Sequence, residues 1–254
     1  MKTAICLSGH ARTYKRVFSN FVSIKNYLSQ FGEVDIFIST WDKINSGSSW
    51  GVKVKDTSEN NNDINLDELN ELYKPKSIRV ENFENTKHLF LIKNFTDYVS
   101  PKEFRDGRRG DGSILYAIPQ FYKIFDCNSL KNQYESANDF KYDFVIRHRL
   151  DQVLNNMVDL NQLNKDVVYI GKNRLYDLDD PKYPLSKGFC TCDQFAIGSS
   201  ENMDKYASAY INLNKILMKD TYTEAGEAIL WNNLKLNNII TEQCLDQDIH
   251  LVRE

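Results

Sequence analysis

Long apolar runs are missing from this sequence. No stretch approaches the roughly 18–20 consecutive apolar residues of a membrane helix, and the run in Met1-Lys-Thr-Ala-Ile-Cys-Leu-Ser8 is far too short for a signal-peptide core. The expectation is a cytoplasmic chain without a transmembrane segment. Cysteine is scarce: there are five, an odd count with no CxxC pair, and Cys190 and Cys192 have no histidine nearby to complete a zinc site. That argues against a disulfide framework and predicts reduced thiols. An excess of positive charge is also lacking, with 32 Lys+Arg against 35 Asp+Glu and a formal net charge of −3. Nonspecific binding to nucleic acid or an anionic membrane needs a basic field that this chain does not have, so no nucleic-acid partner is expected and any anionic ligand must be met locally. Asn94-Phe-Thr96 fits a glycosylation sequon and Arg109-Gly-Asp111 an adhesion tripeptide. Both act only after secretion, and they read as chance matches.

What is present is a core. Of 254 residues, 41% are hydrophobic, enough to bury a substantial interior in one domain spanning 1–254. Lys2 to Leu7 is a short apolar strand that runs into Ser8-Gly9-His10. After it, Val17, Phe18, Phe21, Ile24, Tyr27 and Leu28 recur at helical spacing, and Val34 to Ser39 is a second apolar strand. This is a βαβ unit. From Asp42 to Asn65 the chain is polar and without period, which predicts a long exposed loop. A short helix over Leu66–Tyr73 and a strand over Ser77–Val80 follow, and then a charged, glycine-broken segment ending at Gly112. Its Arg105, Arg108 and Arg109 read as a solvated surface.

Ser113 starts a strong helix in which Ile114, Leu115, Ile118, Phe121, Tyr122, Phe125 and Leu130 make an apolar stripe, with a kink expected at Pro119. Tyr142 to Ile146 is a buried strand that stops at Arg147-His-Arg-Leu-Asp151, and Val167 to Ile170 another. A polar loop over Gly171–Gly188 leads to a strand over Asp193–Gly198. The chain ends with a helix from Ser200 through Leu217, a helix over Glu224–Leu236 and a terminal strand over Asp248–Arg253. Strands alternating with helices predict an α/β fold, a Rossmann-like, mainly parallel sheet with helices on both faces. Its ligand would lie beyond the C-terminal strand ends.

Three places there carry chemistry. At Ser8-Gly-His-Ala-Arg-Thr13 a strand ends and a helix begins, so Ser8, Gly9, Arg12 and Thr13 are candidates to hold a phosphate at a helix N-terminus, or else form an ordinary βα turn. In Arg147-His-Arg-Leu-Asp151 side chains alternate, which sends Arg147, Arg149 and Asp151 one way and His148 and Leu150 the other. Two arginines and an aspartate after a buried strand fit a diphosphate, with the arginines forking onto oxygens and Asp151 holding a divalent cation, Mn²⁺ or Mg²⁺. The alternative is an internal ion-pair cluster. Third, Asp193, with Glu224 and Glu227 as competitors on one helix face, can serve as a general base or simply stabilise a turn and a helix start.

Tyr142-Asp-Phe-Val-Ile-Arg-His-Arg-Leu-Asp151 resembles a segment of the GT-A-like glycosyltransferases of bacterial and viral surface-polysaccharide synthesis. Cys6 to Thr13 looks like their first strand and turn, Ser113 to Tyr134 like the helix before the motif, Asp193 to Ser199 like an acceptor-side strand, and Glu224-Ala-Gly-Glu227 like an acidic helix start. The resemblance implies a transferase with a nucleotide-binding half over about 1–151 and an acceptor half over about 152–254. The substrates it implies are a nucleoside-diphosphate sugar and a glycan or lipid-linked glycan acceptor. Where that family carries Asp-x-Asp for its metal, this chain has Arg149-Leu-Asp151, so either a cation on Asp151, with His250 as a second ligand, or the arginines alone neutralise the diphosphate. Two other readings stay open: a sulfotransferase with its sulfonucleotide on Ser8–Thr13, and a glycan-binding module without turnover.

Overall fold

A computed structural model of the chain describes residues 1–44, 48–49, 52–53, 63–86, 113–171, 192–219, 226–244 and 249–252. Strand β1 (Lys2–Ser8) is buried on both sides, with Ala4 and Cys6 on one face of the sheet and Ile5 and Leu7 on the other. Helix α1 (Tyr14–Leu28) buries Tyr14, Val17, Phe21, Ile24 and Leu28, one helical stripe, against the Ile5 face. The chain turns at Gly32, where a Cβ would stand 2.0 Å from the Met1 carbonyl oxygen at a φ of +143°. Only glycine fits there. It then enters β2 (Glu33–Trp41), parallel to β1 with Ile5 opposite Ile36.

The expected loop after β2 contains a short antiparallel ladder of β3 (Ser48–Ser49) and β4 (Val52–Lys53) and a bridge between Lys43 and Asp63, the remaining residues of 45–62 lying outside the described set. Helix α2 (Leu66–Tyr73) is capped by Asn65, whose side chain accepts from the Glu68 N–H, and β5 (Ser77–Glu81) forms one edge of the sheet. After the single turn α3 (Phe83–Thr86), helix α4 (Ser113–Ala137) runs through Pro119 as one element and covers the Ala4 face. More than a stripe of α4 is buried, since Lys123, Asp126, Lys131 and Glu135 are inside as well.

Strand β6 (Phe144–His148) lies beside β1. The rest of the chain departs from the sequence expectation in four ways. Gln152–Leu154 is a strand, β7, that sequence alone did not indicate. After a 3₁₀ turn at Leu160–Gln162 and β8 (Val167–Gly171), only Ala196–Gly198 of the expected Asp193–Gly198 strand is extended, as β9, and it runs antiparallel to both β6 and β8. The helix expected over Ser200–Leu217 is broken at 208–212 into α5 (Ser200–Ala207) and α6 (Leu213–Lys219), and at the turn the Ser208 hydroxyl donates to the Lys205 carbonyl. Helix α7 (Gly226–Leu236) leads to β10 (Ile240–Cys244), a second unanticipated strand, which pairs in parallel with β8. The terminal strand β11 (Ile249–Leu251) stays out of the main sheet and pairs antiparallel with β7.

The main sheet therefore has the order β10-β8-β9-β6-β1-β2-β5. From β1 the chain steps outward to β2 and β5, then returns to place β6 on the other flank of β1. The strand order reverses between β1 and β6, and ligands of open α/β sheets bind at the C-terminal strand ends beside such a switch point. Helices α1 and α2 cover one face; α4, α5, α6 and α7 supply the other. Among the described residues no helix is long and apolar enough to cross a membrane.

Candidate functional site

The two strands at the switch point end in Ser8-Gly9 and His148-Arg149. Gly9 takes a φ of +111°, a conformation that side chains resist, and its N–H donates to the Ser39 carbonyl at 3.1 Å. That bend carries Arg12 across to the end of β6. There the Asp151 carboxylate is forked by Arg149, with Nε donating to Oδ1 at 2.7 Å and Nη2 to Oδ2 at 2.9 Å, while Arg12 Nη1 donates to Oδ2 at 3.2 Å. Asp151 is fully buried, and burial alone would push its pKa up. The two guanidinium groups outweigh burial and hold it down at about 2.

The alternation expected after Ile146 continues past the strand end. Leu150 joins the apolar cluster under α1 and the His148 ring meets Phe195 there, while Arg149 reaches Gln120 on α4. Arg147 is buried on the α4 side, Nη1 donating to the His148 carbonyl. Its Nε and Nη2, the edge that Arg149 uses to fork a carboxylate, have no acceptor among the described residues, and neither does the buried Tyr206 hydroxyl of α5.

A second cluster adjoins the first through Gln120. Its Oε1 lies 3.5 Å from Arg149 Nη1, and its Nε2 donates to Asp193 Oδ2 at 2.7 Å. Asp193 is in a bend ahead of β9 instead of on the strand, and this lets its side chain turn toward α4 and the start of α7. A Cβ at Gly226 would come within 3.0 Å of the same Oδ2. Glu227, next in α7, is 8% exposed, and burial first and the Asp193 charge second raise its pKa to about 7.

Arg12, Arg149, Asp151, Asp193 and Glu227, drawn from four separated parts of the chain, thus form one connected site. Of the other expected residues, Ser8 is buried with its hydroxyl unpartnered among the described residues. Thr13 does not face the cluster with its hydroxyl, which donates to the Val252 carbonyl at 2.9 Å. Val252 N–H in turn donates to the Asp151 carbonyl, so Thr13 and β11 brace the motif from behind. Glu224 lies outside the described residues, as do Arg105, Arg108, Arg109 and the side chain of His250. Sequence reading missed Gln120, which bridges the two clusters. Its signal was a lone amide between Ile118 and Phe121 in an otherwise apolar helix face.

A divalent cation does not fit Asp151 as it is placed. Both oxygens are taken by guanidinium groups, and no group of three metal-binding side chains occurs among the described residues. A cation there would have to displace Arg149 from its two-point contact. Charge at the site comes instead from Arg12, Arg147 and Arg149 set against Asp151 and Asp193. His10 and His148 are held neutral by burial, their pKa values lowered to about 3 and about 4. A depression of about 470 Å³ at the opposite end of the sheet, beside Lys2, Asp35, Lys76 and Tyr134, has its charges paired and shows no comparable arrangement.

His148, with His10, makes the fold sensitive to acid. Its Nδ1 lies 2.7 Å from the Arg149 carbonyl, an acceptor only, so Nδ1 carries the proton in the neutral ring, and Nε2 has no partner among the described residues. A buried histidine with a depressed pKa favours the folded state above about 6.5, and this contribution is lost as pH falls toward about 4. The span corresponds to about 3 kcal/mol. Equilibrium unfolding at pH 7, 6 and 5 should show this loss, and His148→Gln should flatten it.

These elements define a mainly parallel α/β protein with a charged, largely buried site at its switch point. No family model and no curated protein matches the sequence.

Proposed function

We propose that this protein is a glycosyltransferase that moves a sugar from a nucleoside-diphosphate donor to a glycan acceptor. The observation that carries the reading is the convergence, at the switch point, of an arginine cluster and a carboxylate pair joined by Gln120. A diphosphate needs fixed positive charge, and Arg12 and Arg149 around the single carboxylate of Asp151, with the unpartnered edge of Arg147 behind them, supply it. An acceptor hydroxyl needs a carboxylate within reach, and Asp193 and Glu227 stand on the acceptor side of the same site. The α/β sheet is of the kind that the sequence resemblance to GT-A-like enzymes implies. In this reading the arginines stabilise the departing diphosphate, so rate comes from positioning and from charge already in place.

Thermal-shift measurements test it. A nucleoside diphosphate such as UDP or GDP should raise the melting temperature, equivalent to about 2.7 kcal/mol at a hundredfold excess over Kd. Arg149→Met should abolish the shift, and sugar transfer should persist in the presence of a chelator. Stabilisation by adenosine 3′,5′-bisphosphate alone would sink the reading in favour of sulfonate transfer. Absence of turnover with every donor despite nucleotide binding would leave a binding module.

A further inference from the structure

Two carboxylates, Asp193 and Glu227, lie near the start of α7, and their surroundings differ. Asp193 accepts from Gln120 Nε2 at 2.7 Å and feels the Arg147 and Arg149 guanidinium charges from β6 and its end. Glu227 occupies the first turn of α7, where the helix dipole ordinarily favours ionisation. Burial and the neighbouring Asp193 charge act the other way and prevail, since its pKa is raised to about 7. Among the described residues the remaining titratable neighbours are neutral across this range: burial lifts the Cys192 thiol to about 12 and raises the Tyr206 hydroxyl of α5 further. Among the described residues here, the charge that varies near pH 7 is therefore that of Glu227.

From this asymmetry we propose that Glu227 is the group that takes the acceptor proton, and that Asp193, fixed by Gln120 and the two arginines, is a positioning residue that sets how tightly Glu227 holds it. The inference rests on the transferase reading above. A base works best when its conjugate acid has a pKa near the working pH, because it is then both available and strong. In the step, the acceptor O–H bond breaks as its oxygen bonds to the anomeric carbon, and the proton passes to Glu227. The bond from that carbon to the diphosphate breaks with its electron pair leaving on the diphosphate, which stays among the arginines. Glu227 then returns its proton to water. Gly226 lets the Asp193 carboxylate lie against the start of α7, since a Cβ there would stand 3.0 Å from Asp193 Oδ2.

The first test does not depend on turnover. In full-length protein labelled with ¹³C at glutamate carboxyls, one resonance, absent in Glu227→Gln, should titrate near 7. In Asp193→Asn its midpoint should fall by more than one pH unit, since the like charge is gone while burial remains. A wild-type midpoint below 5, or one that Asp193→Asn leaves in place, overturns the proposal. The second test uses transfer. Wild-type rate should rise with pH through about 7. Glu227→Gln should lose at least about a hundredfold at every pH, whereas Asp193→Asn should keep a plateau within tenfold of wild type with its rising limb moved to lower pH. Loss of transfer at all pH values in Asp193→Asn, with Glu227→Gln still active, would make Asp193 the base. If no donor turns over, the titration still decides the pairing while the transferase reading falls.

Discussion

Asp151→Ala is expected to lower folding stability by about 3–5 kcal/mol, the cost of leaving buried charge without its partner. The Asp151 side chain is fully inside, Arg149 forks it and Arg12 adds a third contact, so its removal strands a buried guanidinium group and leaves a second one without this acceptor. Asp151→Asn keeps the shape and one acceptor oxygen, and should cost less. Chemical denaturation of the two variants beside wild type measures the difference, and equal stability of all three would show that the cluster holds nothing together. The pH dependence follows from the same contacts. With its pKa held at about 2 against an ordinary 3.8, Asp151 contributes stability that is complete above 3.8 and lost as pH falls toward 2. That share is about 2 kcal/mol. It adds to the earlier losses from His148 and His10, so stability should fall first below about 6.5 and again below 3.8, the first loss reduced by His148→Gln.

Glu135→Ala should be of comparable size, about 3–5 kcal/mol, for a different reason. Glu135 lies inside between α4, α5 and the entrance to β6. It accepts from Lys141 at 2.8 Å, Ser200 Oγ at 2.6 Å and the Tyr142 N–H at 2.9 Å, and pairs with Lys131 at 3.2 Å. Lys131 is fully buried, and without Glu135 it keeps only Asp204 and Ser200. Glu135→Gln retains the shape and an acceptor but not the charge, and should recover part of the loss. Because this network lies away from the switch point, nucleotide binding by the folded fraction of Glu135→Ala should match wild type. Loss of binding in proportion to Asp151→Ala would mean that the two networks are coupled.

The elements read most easily were those with a strong local period. β1, α1, β2, α2, β5 and the apolar part of β6 were legible because each buries a face that its own residues announce. β7 and β10 were not. Gln152–Leu154 is three residues long, and β10 carries the polar Thr241, Glu242 and Gln243 because it is an edge strand with partial exposure. Asp193 was visible as a candidate, but its place in a bend depends on β9 running antiparallel, which no local pattern encodes. Gln120 showed in the sequence only as a lone amide in an apolar helix face, and it gains meaning only from Arg149 and Asp193 on other elements.

By itself the sequence determined the alternation of strands and helices, and that charged residues follow the buried strand ending at Ile146. Both rest on periodicities of 2 and 3.6 that belong to the chain locally. Tertiary structure alone decided that Asp151 would spend both oxygens on Arg149 and Arg12, that Thr13 would bond the Val252 carbonyl just beyond β11, and that Asp193 would come to the start of α7 near Glu227. A carboxylate's charge state and partners depend on what burial and neighbouring charge do to it, and those neighbours come from strands and helices remote in the chain.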